Sequence, residues 1–397
     1  MFAILNTVEP ILEAIKDNEF FVVNLDVERG FGTVIYTYKT NETFLPITDD
    51  LEPAERERRL LIQECRGLKF DIETGKILSR PYHKFKNLNE DSTVQVDKID
   101  WTVPNHALEK VDGSMIHPVV VNDVLYWCTK AGYTEISPLV EKFAPEGSDI
   151  HNFAFYCQKV NLTPIFEYCS LENRVVLDYV KPRMILTAIR DNETGRYFNY
   201  DNLWRFAINH KLADVVKVTH KFENINDFVE TLRNEEDIEG VVIRFENGLM
   251  VKIKTDWYCR IHKAIENCIF EKDVIEMILN DTIDDVKAVL KGELRETIEK
   301  FEKEIHTNIV SKAKQIVDFV EKYKATHPFD AKKFNSVVDE INESQFRSFY
   351  MNTYRYNCDY NTVIGEIKAM MLKYIFSKTQ VENHRFLIGG ARMGDEE

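Results

Sequence analysis

The alternation of apolar and polar positions divides the chain into two regimes. Through about residue 255, short β-rich runs alternate with turn signals: Phe20 to Asn24, Gly32 to Tyr38, Val119 to Cys128, Pro164 to Tyr168, Val175 to Tyr179 and Met184 to Ile189. Strands of this length with scattered helices predict an α+β domain built around antiparallel sheets. Pro118 interrupts the pattern and calls for an edge position or a bulge. Beyond Trp257 the period changes. Ile298, Phe301, Ile305, Ile309, Ile316, Val320 and Tyr323 recur mostly at three- and four-residue steps, which marks one face of a long amphipathic helix closed off by Pro328. Val286, Val289 and Leu290 predict a shorter helix before it, and Ile364, Ile367, Met371 and Tyr374 another near the end. The expected layout is a β-rich domain over 1–255 and an all-helical one over 256–397.

Composition narrows this picture a little. A chain of 397 residues, 44% hydrophobic and 29% charged, is long enough for two domains that each bury a core. No stretch approaches the ~18 apolar residues that a membrane helix needs, so no membrane association is expected. The N-terminal Met-Phe-Ala-Ile-Leu-Asn lacks a basic leader and Glu9 interrupts its apolar run, which argues against a signal peptide. The seven cysteines include no Cys-x-x-Cys pair, and they read as thiols in a reducing cytosol. A net charge of −15 weighs against wholesale nucleic-acid binding. A local basic groove would have to draw on residues such as Arg80, Lys84, Lys86, Lys252, Lys254, Arg260 and Lys263.

Five short strings carry the chemistry: Glu64-Cys65-Arg66-Gly67, Lys110-Val111-Asp112-Gly113-Ser114, Glu167 in Ile-Phe-Glu-Tyr, Glu239 in Ile-Glu-Gly-Val-Val, and Lys252-Ile253-Lys254. Lys-x-Asp-Gly alone is a weak signal; the ordered set is not. A lysine amine attacks phosphorus only when unprotonated, and a free lysine titrates at about 10.4. Lys252, Lys254 and a bound Mg²⁺ are the expected sources of a lowered pKa at Lys110. Asp112-Gly113-Ser114 reads as a tight turn that presents it.

Asn247-Gly248 between two apolar runs predicts a two-residue hairpin that pairs Ile243 with Lys252 and Val241 with Lys254. That register sets Glu239, Lys252 and Lys254 on one face, with Val242, Val251 and Ile253 packed into the core on the other. Two lysines and a carboxylate on one face suit a triphosphate and its metal; a surface salt bridge is the structural alternative. Glu167, a carboxylate inside an apolar run, needs a partner: a sugar hydroxyl or hydrated metal if functional, Arg174 if structural. Arg66 is a candidate bidentate phosphate ligand. Arg80-Pro81-Tyr82-His83-Lys84-Phe85-Lys86-Asn87 suits a phosphate or RNA contact, or else a buried aromatic anchor with solvated lysines.

Over nearly its whole length the chain resembles the RNA ligase 1 family of T-even-type bacteriophages, ATP-dependent tRNA-repair ligases of the covalent nucleotidyltransferase superfamily. Ser-Arg-Pro-Tyr-His-Lys-Phe-Lys-Asn-Leu-Asn-Glu (79–90), Glu-Asn-Arg-Val-Val-Leu-Asp-Tyr (172–179), Asn-Glu-Thr-Gly-Arg-Tyr (192–197) and Val-Lys-Ile-Lys-Thr-Asp-Trp-Tyr (251–258) extend the resemblance beyond the strings above. It implies an antiparallel-sheet nucleotidyltransferase domain over 1–255 and a helical C-terminal domain over 256–397 as a tRNA-docking surface. It implies Lys110 as the adenylylated nucleophile, with Tyr36, Arg66, Lys84, Lys130, Glu167, Glu239, Lys252 and Lys254 around ATP. Tyr258 is implied in the ligation step, and Asp284 and Glu239 as Mg²⁺ ligands, directly or through water. For Asp284 a carboxylate in the first turn of a helix is the plain alternative.

Mn²⁺ is expected to substitute for Mg²⁺. The implied partners are RNA, in particular tRNA with a broken anticodon loop, and a polynucleotide kinase-phosphatase. A monomer in the cytoplasm of the infected bacterial host is expected. Two positions depart from the family: Lys86, where phenylalanine is frequent, and Val241, where an aromatic residue is common. A DNA ligase or mRNA capping enzyme would share the motifs but continue into a small β-barrel, whereas the last 140 residues or so read as helices. A non-catalytic binder of RNA ends would have no need of Lys110, Glu239, Lys252 and Lys254 together.

Overall fold

The computed structural model describes residues 2–37, 42–290, 292–341, 343–375 and 377–390. The chain forms two compact units, Met1–Cys259 and Arg260–Glu397. The first holds thirteen strands: β1 (Phe21–Asp26), β2 (Phe31–Tyr36), β3 (Arg66–Asp71), β4 (Ile77–Ser79), β5 (Lys86–Asn87), β6 (Asn105–Glu109), β7 (Ser114–Val121), β8 (Val124–Cys128), β9 (Leu162–Cys169), β10 (Arg183–Asp191), β11 (Val218–His220), β12 (Gly240–Phe245) and β13 (Met250–Lys254). They make three sheets, in the orders β1-β2-β3-β4, β10-β9-β7-β8 and β11-β6-β12-β13-β5. Every pairing between these strands is antiparallel except the short β13–β5 contact. This is the α+β class that the patterning predicts.

Three of the predicted runs change in detail. Val119 to Cys128 is not one strand but the hairpin β7–β8, because Asn122 and Asp123 both take positive φ (49° and 62°) as a tight turn between twisted strands requires. Val175 to Tyr179 is no strand at all; it is an irregular segment whose backbone amides are spent on a side chain described below. In the run from Gly32, the strand ends at Tyr36 and Tyr38 lies outside the described residues. Pro118 pairs with Trp127 of β8, while β9 joins β7 only at Ser114–Ile116. The proline therefore sits at a local edge, where its missing N–H costs no ladder bond.

The β12–β13 hairpin has a register one residue away from the expected one: Val242 pairs with Lys252 and Gly240 with Lys254. Its loop is three residues rather than two. Phe245 exchanges bonds with Leu249 and Gly248, and Gly248 takes φ 92°. A one-residue slip exchanges the faces of a strand. Val241, Ile243, Val251 and Ile253 are accordingly the buried side, worth about 1.5–3 kcal/mol each, and Val242 shares the opposite face with Lys252. Glu239 would fall on the core side by simple alternation. Gly240, at φ 143°, turns the chain so that it does not.

A buried ion cluster joins the first sheet to the second. Glu64 receives Arg80 (Nη2–Oε1 2.8 Å) and Arg190 of β10 (Nη1–Oε2 2.7 Å, Nη2–Oε1 2.8 Å). The guanidiniums spend further donors on the carbonyls of Ala3, Asn192, Glu193, Pro81 and Gly195.

The second unit is helical throughout its described residues, as its period predicts. Its spine is the 35-residue helix Gly292–Thr326, whose Ile298, Phe301, Ile305, Ile309, Ile316 and Val320 are buried with Ala313 and Val317. The shorter helices Ile283–Val289 and Tyr360–Tyr374 stand where the sequence places them. No helix among the described residues is long and apolar enough to cross a membrane.

A Cβ on Gly240 would stand 2.0 Å from the carbonyl oxygen of Ile253 while holding a φ that side chains avoid. Gly240→Ala is expected to cost about 3 kcal/mol of stability, read as a lower urea midpoint.

Candidate active site

The Lys110 segment leaves β6 and is pinned at both ends. The Lys110 amide donates to Gly240 O at 3.0 Å. Asp112 is buried, and its carboxylate accepts the amides of Val176 and Leu177 at 2.8 and 2.7 Å and the Tyr258 hydroxyl at 2.7 Å. This is not the turn that Asp-Gly suggests. The glycine serves close approach instead: a Cβ on Gly113 would meet Tyr168 O at 2.4 Å. Ser114 Oγ donates to Asn173 Oδ1 at 2.9 Å, closing the same loop from the other side.

Lys110 Nζ lies 2.7 Å from Glu239 Oε1, and Lys254 Nζ lies 3.0 Å from the same oxygen. Glu239 is buried, so this pairing is shielded from solvent on the carboxylate side. Of the two hairpin lysines expected beside Glu239, Lys254 pairs with it and Lys252 does not, and the meeting works through the Gly240 kink and not through the expected register. Tyr258, in the first turn of the helix Asp256–Asn267, places its ring 4.7 Å below Lys254 Nζ. Burial, with Glu239 and Asp112 alongside, pushes its phenol well above the ordinary range, so it stays a donor to Asp112.

A cavity of about 170 Å³ opens beside Lys110, lined among others by Arg66, Tyr82, Phe85, Glu167 and Lys252. It forms where the three sheets meet: Arg66 comes from β3, Met115, Glu167 and Thr187 from β7, β9 and β10, and Val242, Arg244 and Lys252 from β12 and β13. The electrostatics inside are unusual. Burial pushes the Glu167 carboxyl up to about 8; Lys110 pulls it down, and Glu239 and Asp112 oppose that pull. Burial, aided by Lys84, Arg66 and Lys110, lowers Lys252 to about 7. Lys252, one of the cations expected beside Lys110, is thus itself crowded by cations. Arg174 pairs with Asp178 at 2.9 Å, not with Glu167, so the structural alternative for that carboxylate is withdrawn.

The remaining expected residues divide. Tyr36 and Lys130 meet each other, Nζ to hydroxyl at 3.0 Å with the ring 4.4 Å away. Burial raises the Tyr36 phenol, but Lys130 and Arg66 outweigh it and leave the group below its ordinary value. Arg66 also donates to His83 O at 3.2 Å. Lys84 pairs with Glu90 at 3.3 Å, and Lys86 pairs with Asp91. Arg80 belongs to the Glu64 cluster and is fully buried, so it is no part of a basic groove. Val241 is core, which accounts for an aliphatic side chain there. In the helical unit, Asp284 is an exposed first-turn carboxylate 2.7 Å from Lys287, matching the plain alternative.

Among the described residues, no three or more His, Cys, Asp or Glu side chains cluster as metal ligands. Glu239 is neutralised by two lysines and Asp112 is occupied by three donors. These residues do not build a resident metal cage. Such a set suits an ion that arrives already bound to phosphate oxygens.

Sequence reasoning missed Arg244 and Thr187 as wall residues. Arg244 donates to Thr187 O and Phe198 O at 3.0 and 2.9 Å and closes one side of the cavity. It lies two positions beyond Val242 on the same face of β12, a placement legible only once the register is known.

The Lys110–Glu239–Lys254 set and the antiparallel scaffold define a class, and similarity to known proteins assigns the family. Residues 64–258 match a family model described as RNA ligase, and residues 266–381 one described as T4 RNA ligase 1, C-terminal domain. A putative RNA ligase from Thermovibrio ammonificans is 31% identical over 295 residues, covering 72% of each chain. RNA ligase 1 of bacteriophage TS2126 is 25% identical over 300 residues, covering 72% of this chain and 69% of that protein. A putative bifunctional polynucleotide kinase/RNA ligase of Autographa californica nuclear polyhedrosis virus is 29% identical over 266 residues, covering 60% of this chain and 36% of that protein. The chain belongs to the T4 RNA ligase 1 family.

Tyr258→Phe removes the hydroxyl that Asp112 accepts and leaves a buried carboxylate oxygen short of one donor. An expected loss of about 1–3 kcal/mol is checked by urea unfolding, with a slower sealing rate in a single-turnover assay.

Proposed function

We propose that the protein is an ATP-dependent RNA ligase that works through lysyl-AMP and RNA-adenylate intermediates. The observation that carries this reading is the Lys110–Glu239–Lys254 cluster at the edge of a cavity lined by Arg66 and Lys252. Lys110 Nζ attacks the α-phosphorus of ATP, a P–N bond forms, and the bond to the pyrophosphate oxygen breaks. The amine must give up a proton first, and Glu239 Oε1, at 2.7 Å, is the acceptor in reach. Lys252, Lys254 and Arg66 are cations suited to charge building on the phosphates.

The adenylyl group then passes to an RNA 5′-phosphate, and an RNA 3′-hydroxyl displaces AMP to seal the strand. A divalent ion, Mg²⁺ or Mn²⁺, is read as part of the nucleotide substrate, and Glu167, a cavity carboxylate with no side-chain partner among the described residues, is placed to receive its water or a ribose hydroxyl.

The wider reading is tRNA repair in a phage-infected bacterial cytoplasm, with the helical unit as a docking surface for tRNA whose anticodon loop is broken. The viral relative named as a kinase and ligase in one protein supports a partner kinase-phosphatase. The protein is proposed to act as a monomer.

Incubation with α-labelled ATP, GTP or NAD⁺, followed by denaturing electrophoresis and peptide mass spectrometry, is expected to show AMP on Lys110 from ATP alone. Lys110→Ala abolishes the adduct but retains part of the sealing of pre-adenylylated RNA; equal loss of both contradicts the assigned role. A GMP adduct would indicate capping chemistry instead.

Lys252 generates a second test. Near pH 8 it is largely neutral in the free protein, and polyphosphate favours its ammonium form. Calorimetry in buffers of different ionisation enthalpy should therefore show proton uptake on ATP binding at pH 8. That uptake is smaller at pH 6, where Lys252 is already charged, and smaller in Lys252→Met at pH 8.

A further inference from the structure

One buried cluster has no place in the mechanism above. Lys69 of β3 is fully buried, and no carboxylate among the described residues pairs with it. Its Nζ donates to Gly67 O at 2.7 Å and Thr129 O at 3.0 Å and lies 3.4 Å from His117 Nε2. Three acceptors match the three protons of an ammonium, whereas a neutral amine has only two to offer. Burial lowers Lys69 to about 8, so the ammonium prevails at neutral pH. His117 of β7 is held neutral by burial and by Lys69, which leaves one ring nitrogen free to accept. Its Nδ1 lies 2.7 Å from Ser79 Oγ. The other titratable neighbour, Cys128 of β8, is held as a thiol by burial.

A buried charge without a counter-ion is costly, and these hydrogen bonds offset only part of that cost. The two carbonyls supply a reason for the arrangement. Gly67 directly follows Arg66, and Thr129 directly precedes Lys130. The two backbones are also in close contact: a Cβ on Gly67 would stand 2.6 Å from Lys130 O. One ammonium thus bridges the chain segments that carry the Arg66 guanidinium of the cavity and the Lys130 amine that meets Tyr36.

We propose that Lys69 is a positioning residue that locks the Arg66 and Lys130 backbones at a fixed separation and so pre-sets both cations for the ATP phosphates. This rests on the reading of Arg66 and Lys130 as phosphate ligands. Lys69 itself touches no substrate.

The test is a double-mutant cycle on the KM for ATP in lysyl-AMP formation. Lys69→Met is expected to raise that KM about tenfold, with a smaller change in kcat, when assayed well below its melting temperature, which the loss of three buried hydrogen bonds lowers. In a Lys130→Ala or Arg66→Ala background the same substitution is expected to cost less than twofold. A full penalty in both backgrounds, or a KM equal to the parent's in Lys69→Met alone, overturns the proposal. If Lys69→Met does not fold, Lys69→Gln, which keeps two donors, enters the same cycle with the same criteria. Should Arg66→Ala and Lys130→Ala each leave the ATP KM unchanged, the phosphate-ligand reading falls and takes this proposal with it. Should they raise the KM while the Lys69 penalty stays additive, only this proposal falls.

Discussion

The Glu64 carboxylate, gripped by Arg80 and Arg190, is the contact from which the rest of the catalytic unit takes its geometry. Burial alone would push Glu64 up, but two guanidiniums outweigh it and hold the carboxyl far below the usual range. The cluster carries one net positive charge into the interior. It is tolerable because backbone carbonyls take up the spare donors. Its effect is positional. Glu64 sits two residues before Arg66, and Arg80 two before Tyr82, so a single ion cluster brings both cavity-lining residues against the sheet that carries Glu167. The Lys84 amide bonded to Gln63 O at 2.7 Å continues the same register.

Against that frame, the Lys110 segment is held by contacts from far along the chain. Asp112 gathers amides from 176 and 177 and a hydroxyl from 258, and Glu239 gathers Lys110 and Lys254. Both carboxylates take donors from distant parts of the chain, which holds the segment around Lys110 in place. Glu167 differs: it is a recessed carboxylate with no hydrogen bond or ion pair to the described residues, raised to about 8 by burial. Perturbed groups of this kind gather where chemistry is done. Lys252, lowered to about 7 in the same space, makes the cavity responsive to the arrival of negative charge.

How much of this was legible beforehand depends on the range of the interaction. The face of the helix Gly292–Thr326 was readable residue by residue, since a 3.6-residue period needs only local sequence. The meeting of Glu239 with Lys254 was also foreseen, although by a register that is off by one, whereas its pairing with Lys110 in place of Lys252 was not. Asn247-Gly248 suggests a two-residue turn, and the observed three-residue loop would have turned Glu239 inward but for Gly240. Arg80, Lys84 and Lys86 looked like one basic surface, yet each is matched to its own carboxylate.

By itself, the sequence determined the order and type of the candidate site residues, the α+β class and the change to helix after Trp257. Those are carried by residue identity and short-range period. Only the tertiary structure decided which cations face the cavity and which are neutralised elsewhere, which face of β12 is core, and that Lys69 bridges two loops. Each of these depends on pairing between positions tens to more than a hundred residues apart, and a buried charge takes its meaning from the partners that folding brings to it.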